Sequence, residues 1–340
     1  MSFIRQQRPH HILRSLYTSP PPPPPPPARV QLAYELHHHH RQPPRSSSSS
    51  PSTSPILFLH GFLGSKRENR LISRQALSQK LIGSMAPCVS SPPFFSSCID
   101  LRNHGDSGHH PKHDYMELAL DVRSFIEKHR IREPTIIGHS MGAKTALTLS
   151  LESPNLIKDV VAIDNGPIHL PLKSDFLGYL QGLARLQEER ITSHRQADEI
   201  LAAYEKDPVI RLWLISNLVK KPNSPYLDLR IPVEILKTAM GPLGDFPYRE
   251  TQEGAKQFHG RVLFLRALRS HYIPETAFPT ISSFFPAAKI VNIDSGHWIV
   301  QEKPEELRQE KAPSGADGLS MLDDFADIYA NPPCRLDPRE

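Results

Sequence analysis

Cysteine is scarce in this 340-residue chain: only Cys88, Cys98 and Cys334 occur, without a CxxC pair. An odd, widely spaced set argues against a secreted disulfide scaffold and for a reducing compartment. Long apolar runs are missing too. A membrane span needs roughly 18 to 20 such residues, whereas Ile56–Leu59 and Val262–Leu265 are only strand-length. Acidic residues are absent before Glu35, and residues 1–55 hold six arginines against that single glutamate. The remainder is nearly balanced, with 34 basic and 35 acidic residues, so the net charge of +4 belongs to the leader. A nucleic-acid partner loses its electrostatic support, because the remainder carries no net positive charge.

The leader is rich in what the rest of the chain uses sparingly. Of 35 prolines, 13 fall in the first 55 residues, beside the runs Pro20–Pro27, His37–His40 and Ser46–Ser50. Arg5, Arg8 and Arg14 are interleaved with Phe3, Ile4, Ile12, Leu13, Leu16 and Tyr17. That is the composition of an amphipathic, basic transit peptide. It lacks the roughly 7 to 15 residue apolar core of a secretory signal, so mitochondrial import is the expectation. Pro20–Pro27 reads as a stiff polyproline II spacer, and residues 1–29 are taken as a disordered targeting leader. The four histidines sit in what reads as a polar connector without carboxylate or thiol partners, a poor metal site.

Val30, Leu32, Tyr34 and Leu36 then alternate with Gln31, Ala33 and Glu35, the period of a half-buried strand. From Pro55 onward, strand-length runs alternate with helical segments: Ile56–His60, Cys98–Leu101, Thr135–Gly138, Val160–Asp164, Val262–Leu265 and Lys289–Ile293. Leu118, Val122, Phe125 and Ile126 recur at helical spacing between the second and third of these. The recurrence predicts an α/β fold with a mostly parallel sheet and flanking helices, over residues 30–310. Between Asp164 and Val262 lie some ninety mostly helical residues, read as a lid over about 168–257. Within it Val209–Val219 is apolar nearly all round, which predicts a helix buried or lining a cleft. Residues 311–340 form a poorly defined tail.

The strongest chemical signal is Thr135-Ile136-Ile137-Gly138-His139-Ser140-Met141-Gly142-Ala143, a strand entering G-x-S-x-G and then a helix. A serine on such a turn presents its hydroxyl at the top of the sheet, and the glycines prevent collisions there. Ser140 is the candidate nucleophile. It needs a base, and His297, in Asp294-Ser295-Gly296-His297-Trp298 after the last strand, is best placed to return over the same sheet end. The acid that orients the imidazole is less direct. The stretch after Val262–Leu265, where many enzymes of this architecture carry it, has no carboxylate as far as Ile273. Asp164, ending the strand after the nucleophile's own, is chosen, with Asp294 as rival. Oxyanion donors are expected from the backbone N–H of Met141 and, in His60-Gly61-Phe62-Leu63-Gly64-Ser65, of Phe62. A competing constellation, Asp100-Leu101-Arg102-Asn103-His104-Gly105-Asp106-Ser107 with His109, His110 and His113, invites a metallohydrolase reading, but its spacing matches no pattern with defined mechanics.

With these residues in view, the chain resembles the α/β-hydrolases, and more narrowly the mitochondrial abhydrolase-domain proteins whose fungal branch includes ethanol acetyltransferase. The resemblance runs from about Val30 to Leu307. It rests on Phe58–Ser65, Asp100–Ser107, Gly138–Gly142, Ile163–Pro167 and Gly296–Trp298. Two stretches depart from it: the Pro- and Ser-rich Gly83–Ser97 lengthens a connection that relatives keep short, and Ala312-Pro313-Ser314-Gly315 interrupts the closing helix. The resemblance implies a triad of Ser140, Asp164 and His297, and no residue pattern of the chain calls for a cofactor or a metal. The resemblance also implies small ester or acyl-thioester substrates such as acetyl-CoA, with water or a short-chain alcohol such as ethanol as acceptor. A non-catalytic accessory protein of a mitochondrial complex on the same fold is the alternative of a different class.

Overall fold

The computed structural model describes residues 29–38, 54–70, 73, 95–250 and 256–299. The leader up to residue 28, the Ser46–Ser50 run, Cys88, Cys334 and the tail after residue 299 lie outside these residues, as do the ends expected for the domain and for its closing helix.

Seven strands form one sheet: β1 (Tyr34–His38), β2 (Ile56–Leu59), β3 (Phe95–Ile99), β4 (Thr135–His139), β5 (Asp159–Ile163), β8 (Arg261–Ala267) and β9 (Ala288–Ile293). Their order is β1-β3-β2-β4-β5-β8-β9, with β1 antiparallel and every other neighbour parallel. Alternate residues of the central strands feed two separate cores. Leu57, Leu59, Ile136, Val160, Ala162 and Phe264 pack into the larger one, whereas Ile56, Phe58, Ile137, Val161, Leu263 and Leu265 build the second. Burial on both faces is why these strands read as unbroken apolar runs rather than alternating ones. Helix α1 (Tyr115–Lys128) is started by Asp114, whose carboxylate accepts the Glu117 N–H at 2.9 Å. It buries the predicted Leu118, Val122, Phe125 and Ile126 beside α2 (Met141–Glu152). The register pairs Leu59 with Gly138, Gly138 with Ala162, and Ile163 with Leu265. The carboxyl ends of β2, β4, β5 and β8 therefore meet at one rim, where ligands bind in open α/β sheets.

Several expectations are corrected. The first strand exists, but Tyr34 and Leu36 are exposed at the sheet edge, and His37, read as part of a polar connector, is the buried member. Its Nε2 lies 2.9 Å from Oε1 of Glu35, a carboxylate partner the connector was expected to lack. Phe95–Ser97 is not inserted loop: it opens β3, paired with both β1 and β2.

The segment between β5 and β8 carries α3 (Ser174–Glu188), α4 (His194–Leu201), α5 (Pro208–Ile215), a hairpin of β6 (Leu218–Lys220) with β7 (Leu227–Leu229), and α6 (Val233–Ala239). Of the residues at helical spacing, Phe176, Leu180, Leu183, Ala197 and Leu201 are buried, whereas Ile200 is half-buried and Tyr204 is exposed. Val209–Val219 is not one buried helix. α5 ends at Ile215, chain pairing takes over at Leu218, and Val209 and Leu212 are 65% and 68% exposed. A two-turn helix packs one face only, so here Leu214 and Ile215 carry its burial. After β8, α7 (Phe278–Phe284) leads back into β9. Among the described residues no helix is long and apolar enough to cross a membrane.

Candidate active site

Ser140 occupies the single residue between β4 and α2, with φ 52° and ψ −112°, a conformation costly for a side-chain-bearing residue. Its N–H is anchored on the carbonyl of Ile163 at 2.9 Å. The flanking glycines are steric requirements: a Cβ on Gly138 would lie 2.3 Å from backbone atoms of Gly142, and one on Gly142 would lie 2.4 Å from the carbonyl oxygen of Leu59. Strand end, helix start and neighbouring strand thus touch through backbone alone.

His297 reaches this turn from the loop after β9. Its Nε2 lies 2.9 Å from Ser140 Oγ, and its Nδ1 lies 2.7 Å from Oδ2 of Asp164. A carboxylate only accepts, so Nδ1 carries the proton and Nε2 is left to accept from the serine hydroxyl. Asp164 is completely buried, with φ 47°, and its Oδ1 accepts the Ala267 N–H at 3.2 Å. The rival Asp294 points elsewhere: it is 71% exposed and paired with Arg269 at 2.5 Å. The His297 carbonyl accepts the Nε2–H of His139 at 2.9 Å. Burial pulls the His139 imidazole down to about 4 and keeps it a neutral donor, while the Tyr272 ring packs 4.3 Å from that of His297.

The loop after β2 is held by histidines. His60 donates from Nδ1 to the Gly61 carbonyl at 2.7 Å and accepts the Leu101 N–H on Nε2 at 3.0 Å. His104 accepts the Leu63 N–H on Nε2 at 3.0 Å and donates from Nδ1 to the Arg102 carbonyl at 2.8 Å. Leu63 sits at φ 62°, and its carbonyl accepts from Asn217 Nδ2 at 3.0 Å. With Gly64 N–H donating to Gly61, Phe62 is left at the tip, and its side chain faces the same cavity as Ser140 and Met141.

The run weighed as a metal site serves this framework. Burial holds His104 well below its ordinary value and takes His113 down to about 3, so both rings are neutral. Arg102 is buried, bonded to Asp121 at 2.6 Å and Glu117 at 3.1 Å, and Asp100 accepts the backbone N–H groups of Lys66 and Asp106. Among the described residues no three histidine, cysteine, aspartate or glutamate side chains converge as metal ligands would.

Ser140 opens onto a narrow cavity of about 290 Å³, its solvent-open mouth included. The sheet side contributes Phe62, Tyr115, Lys144 and Tyr272. The segment between β5 and β8 contributes Leu170, Leu172, Phe176 and Leu243. Sequence reasoning missed Lys144, Asn165 and Tyr272. Asn165 donates from Nδ2 to the Ser140 carbonyl at 3.2 Å. Lys144 stands one helical turn after the serine, and the fold brings it to the same cavity.

A sequence profile described as alpha/beta hydrolase fold matches residues 54–304. Ethanol acetyltransferase 1 of Cyberlindnera fabianii is 33% identical over 273 residues, 75% of this chain and 77% of that protein. The sn-1-specific diacylglycerol lipase ABHD11 of Xenopus laevis is 32% identical over 258 residues, 74% of this chain and 77% of that protein. Among solved structures, a marine microorganism esterase shares the fold with a TM-score of 0.65 at 23% identity, covering 81% of this chain and 96% of that one.

Proposed function

This chain belongs to the α/β-hydrolase family, and on that premise we propose that it is a serine acyl hydrolase or acyltransferase working through an acyl-enzyme on Ser140. The observation that carries the reading is the unbroken chain from Ser140 Oγ through His297 to the buried Asp164, with links of 2.9 and 2.7 Å. Ser140 Oγ attacks the carbonyl carbon of an ester or thioester while His297 Nε2 takes the hydroxyl proton. Asp164 keeps the imidazole in the accepting tautomer and stabilises its charged form. The backbone N–H groups of Phe62 and Met141 donate to the oxyanion, and each such donor is worth about 3 kcal/mol of transition-state stabilisation. Collapse of the tetrahedral adduct breaks the C–O or C–S bond, and His297 returns the proton to the departing alcohol or thiol. Water or an alcohol then attacks the acyl-enzyme by the same steps in reverse.

Similarity to an ethanol acetyltransferase supports short acyl donors, and the narrowness of the cavity agrees with small groups. The apolar walls supplied by the lid favour an alcohol over water as acceptor by restricting solvent entry. The deciding experiment supplies acetyl-CoA with and without ethanol and follows free CoA, acetate and ethyl acetate. Acetate alone identifies a thioesterase, and ethyl acetate an acyltransferase. Neither product, together with no labelling of Ser140 by a fluorophosphonate probe, would leave an accessory protein on a hydrolase fold. The arginine-rich, acid-free leader supports mitochondrial import, tested by fusing residues 1–29 to a reporter. A cytosolic reporter rejects it.

A further inference from the structure

Among the described residues Lys144 is the one cation lining the cavity in front of Ser140, and the mechanism above does not use it. It lies on α2 one turn beyond the serine, and side chains on a helix lean back toward its N-terminus, here toward Ser140. The residue is 1% exposed. Its ammonium donates to the Asp245 carbonyl at 3.1 Å, reaches the Gly244 carbonyl at 3.5 Å and lies 5.1 Å from the centre of the Tyr115 ring. Among the described residues no carboxylate forms an ion pair with it, since the Asp245 side chain is engaged by Arg249 at 2.8 Å and by His169 at 3.3 Å.

A buried ammonium without an ion-pair partner is costly, the Asp245 charge offsetting its burial only in part, and an apolar side chain of the same length would serve the fold better. An ammonium has three N–H donors, and two main-chain carbonyls leave one of them over. Phe62, Leu170, Leu172, Phe176 and Leu243 supply the apolar part of the wall, beside the polar Tyr115, Asn165 and Tyr272. A group bound at Ser140 therefore passes a short apolar stretch and ends at a cation. Resting on the reading of Ser140 as the acyl acceptor, we propose that Lys144 is a specificity-determining residue that binds the terminal carboxylate of a short dicarboxylic half-ester or half-thioester. Ser140 and Lys144 are about one helical turn apart on the same cavity, which makes a compact acyl group such as succinyl or glutaryl the class proposed. Burial lowers the lysine to about 8, so it is still mostly charged at neutral pH.

The test compares kcat/KM for p-nitrophenyl hemisuccinate, above its spontaneous release, with that for its neutral isostere, the p-nitrophenyl ester of 4-methylpentanoic acid. The wild type should prefer the half-ester by about tenfold or more, the range of one charge-assisted hydrogen bond. Lys144→Met should reverse the ratio, with the loss on the half-ester appearing in KM. The variant should keep or exceed the wild-type Tm, and fluorophosphonate labelling of Ser140 should persist. A wild type without preference, or a Lys144→Met variant that loses both esters equally, overturns the inference while leaving a labelled Ser140 and the acyl-enzyme reading intact. If Ser140 is not labelled in the wild type, the acyl-enzyme reading falls, and thermal stabilisation by free succinate then reads the lysine directly. A shift in the wild type that Lys144→Met abolishes supports anion binding, and its absence rejects it.

Discussion

The indole Nε1–H of Trp213 donates to Oε1 of Glu68 at 2.8 Å and so joins lid helix α5 to the loop that follows β2. The same oxygen accepts the Ser65 N–H at 3.1 Å. Removal from water pushes the Glu68 carboxyl up from 4.5 to about 7, with the Asp100 charge adding to the rise. Trp213 also stacks edge-on against Trp298, the neighbour of His297, at 4.6 Å between ring centres. A titrating carboxyl thus sits in the contact between lid and site.

Because the folded value of Glu68 lies above the unfolded one, its stabilising contribution is fully present below about pH 4.5 and is lost as pH rises through about 7. Thermal unfolding of the wild type should therefore show a Tm higher at pH 5.5 than at pH 8. Glu68→Gln keeps the acceptor for Trp213 and cannot ionise, so the difference should shrink by a few degrees, equivalent to ~1–2 kcal/mol. An unchanged pH slope in the variant rejects this account.

Asp164→Asn should slow turnover by about 10⁴-fold, since an amide donating to His297 Nδ1 would force the tautomer that cannot accept the serine proton. Asp294→Asn, altering only an exposed pair with Arg269, should leave kcat/KM within about twofold, because exposed pairs contribute ~1 kcal/mol or less. Initial rates on p-nitrophenyl acetate separate the two carboxylates, and equal losses would redraw the triad.

Gly142→Ala places a methyl 2.4 Å from the Leu59 carbonyl oxygen and should cost about 3 kcal/mol or more, or yield no folded protein. Gly178→Ala, in α3 with nothing within 4 Å of the added carbon, should raise stability by ~0.5–1 kcal/mol through helix propensity. Urea midpoints measure both. A tolerated Gly142→Ala would mean that the turn is less tightly packed than the distances imply.

Phe62→Leu should retain turnover within a few-fold if the backbone N–H of Phe62 serves the oxyanion, because the substitution leaves the main chain in place. The ring packs against Phe176 at 5.6 Å and His104 at 5.9 Å, so a stability loss of ~1 kcal/mol is expected from the repacked volume. A roughly hundredfold slower turnover at unchanged Tm, the size of effect that losing an oxyanion donor produces, would assign the role to the ring instead.

Much of the sheet could be read from short windows of sequence. The apolar runs at Ile56, Thr135, Val160, Val262 and Lys289 are strands in the structure, and the helical spacing around Leu118 is helix α1. Gly138-His139-Ser140-Met141-Gly142 announced its turn because the steric demand for glycine is local to those five residues. Asp164 was reached from strand adjacency, since residues at the ends of neighbouring parallel strands are brought together by backbone spacing alone.

Other features depend on which distant surfaces meet. His37 looked like part of a polar tract and is buried against Glu35, while Val209 and Leu212 looked like core and face outward. The histidines of the Asp100–Ser107 region resembled metal ligands, yet the ring of His104 holds a backbone N–H some forty positions away, as does that of His60. Composition and periodicity thus determined the elements, their class and the serine turn, because backbone preferences and side-chain size act over a few residues. Tertiary structure alone decided which polar groups are buried, which partners satisfy them, and that Lys144 shares a cavity with Ser140. Burial and hydrogen bonding are set by contacts between segments far apart in the chain, and no local pattern encodes them.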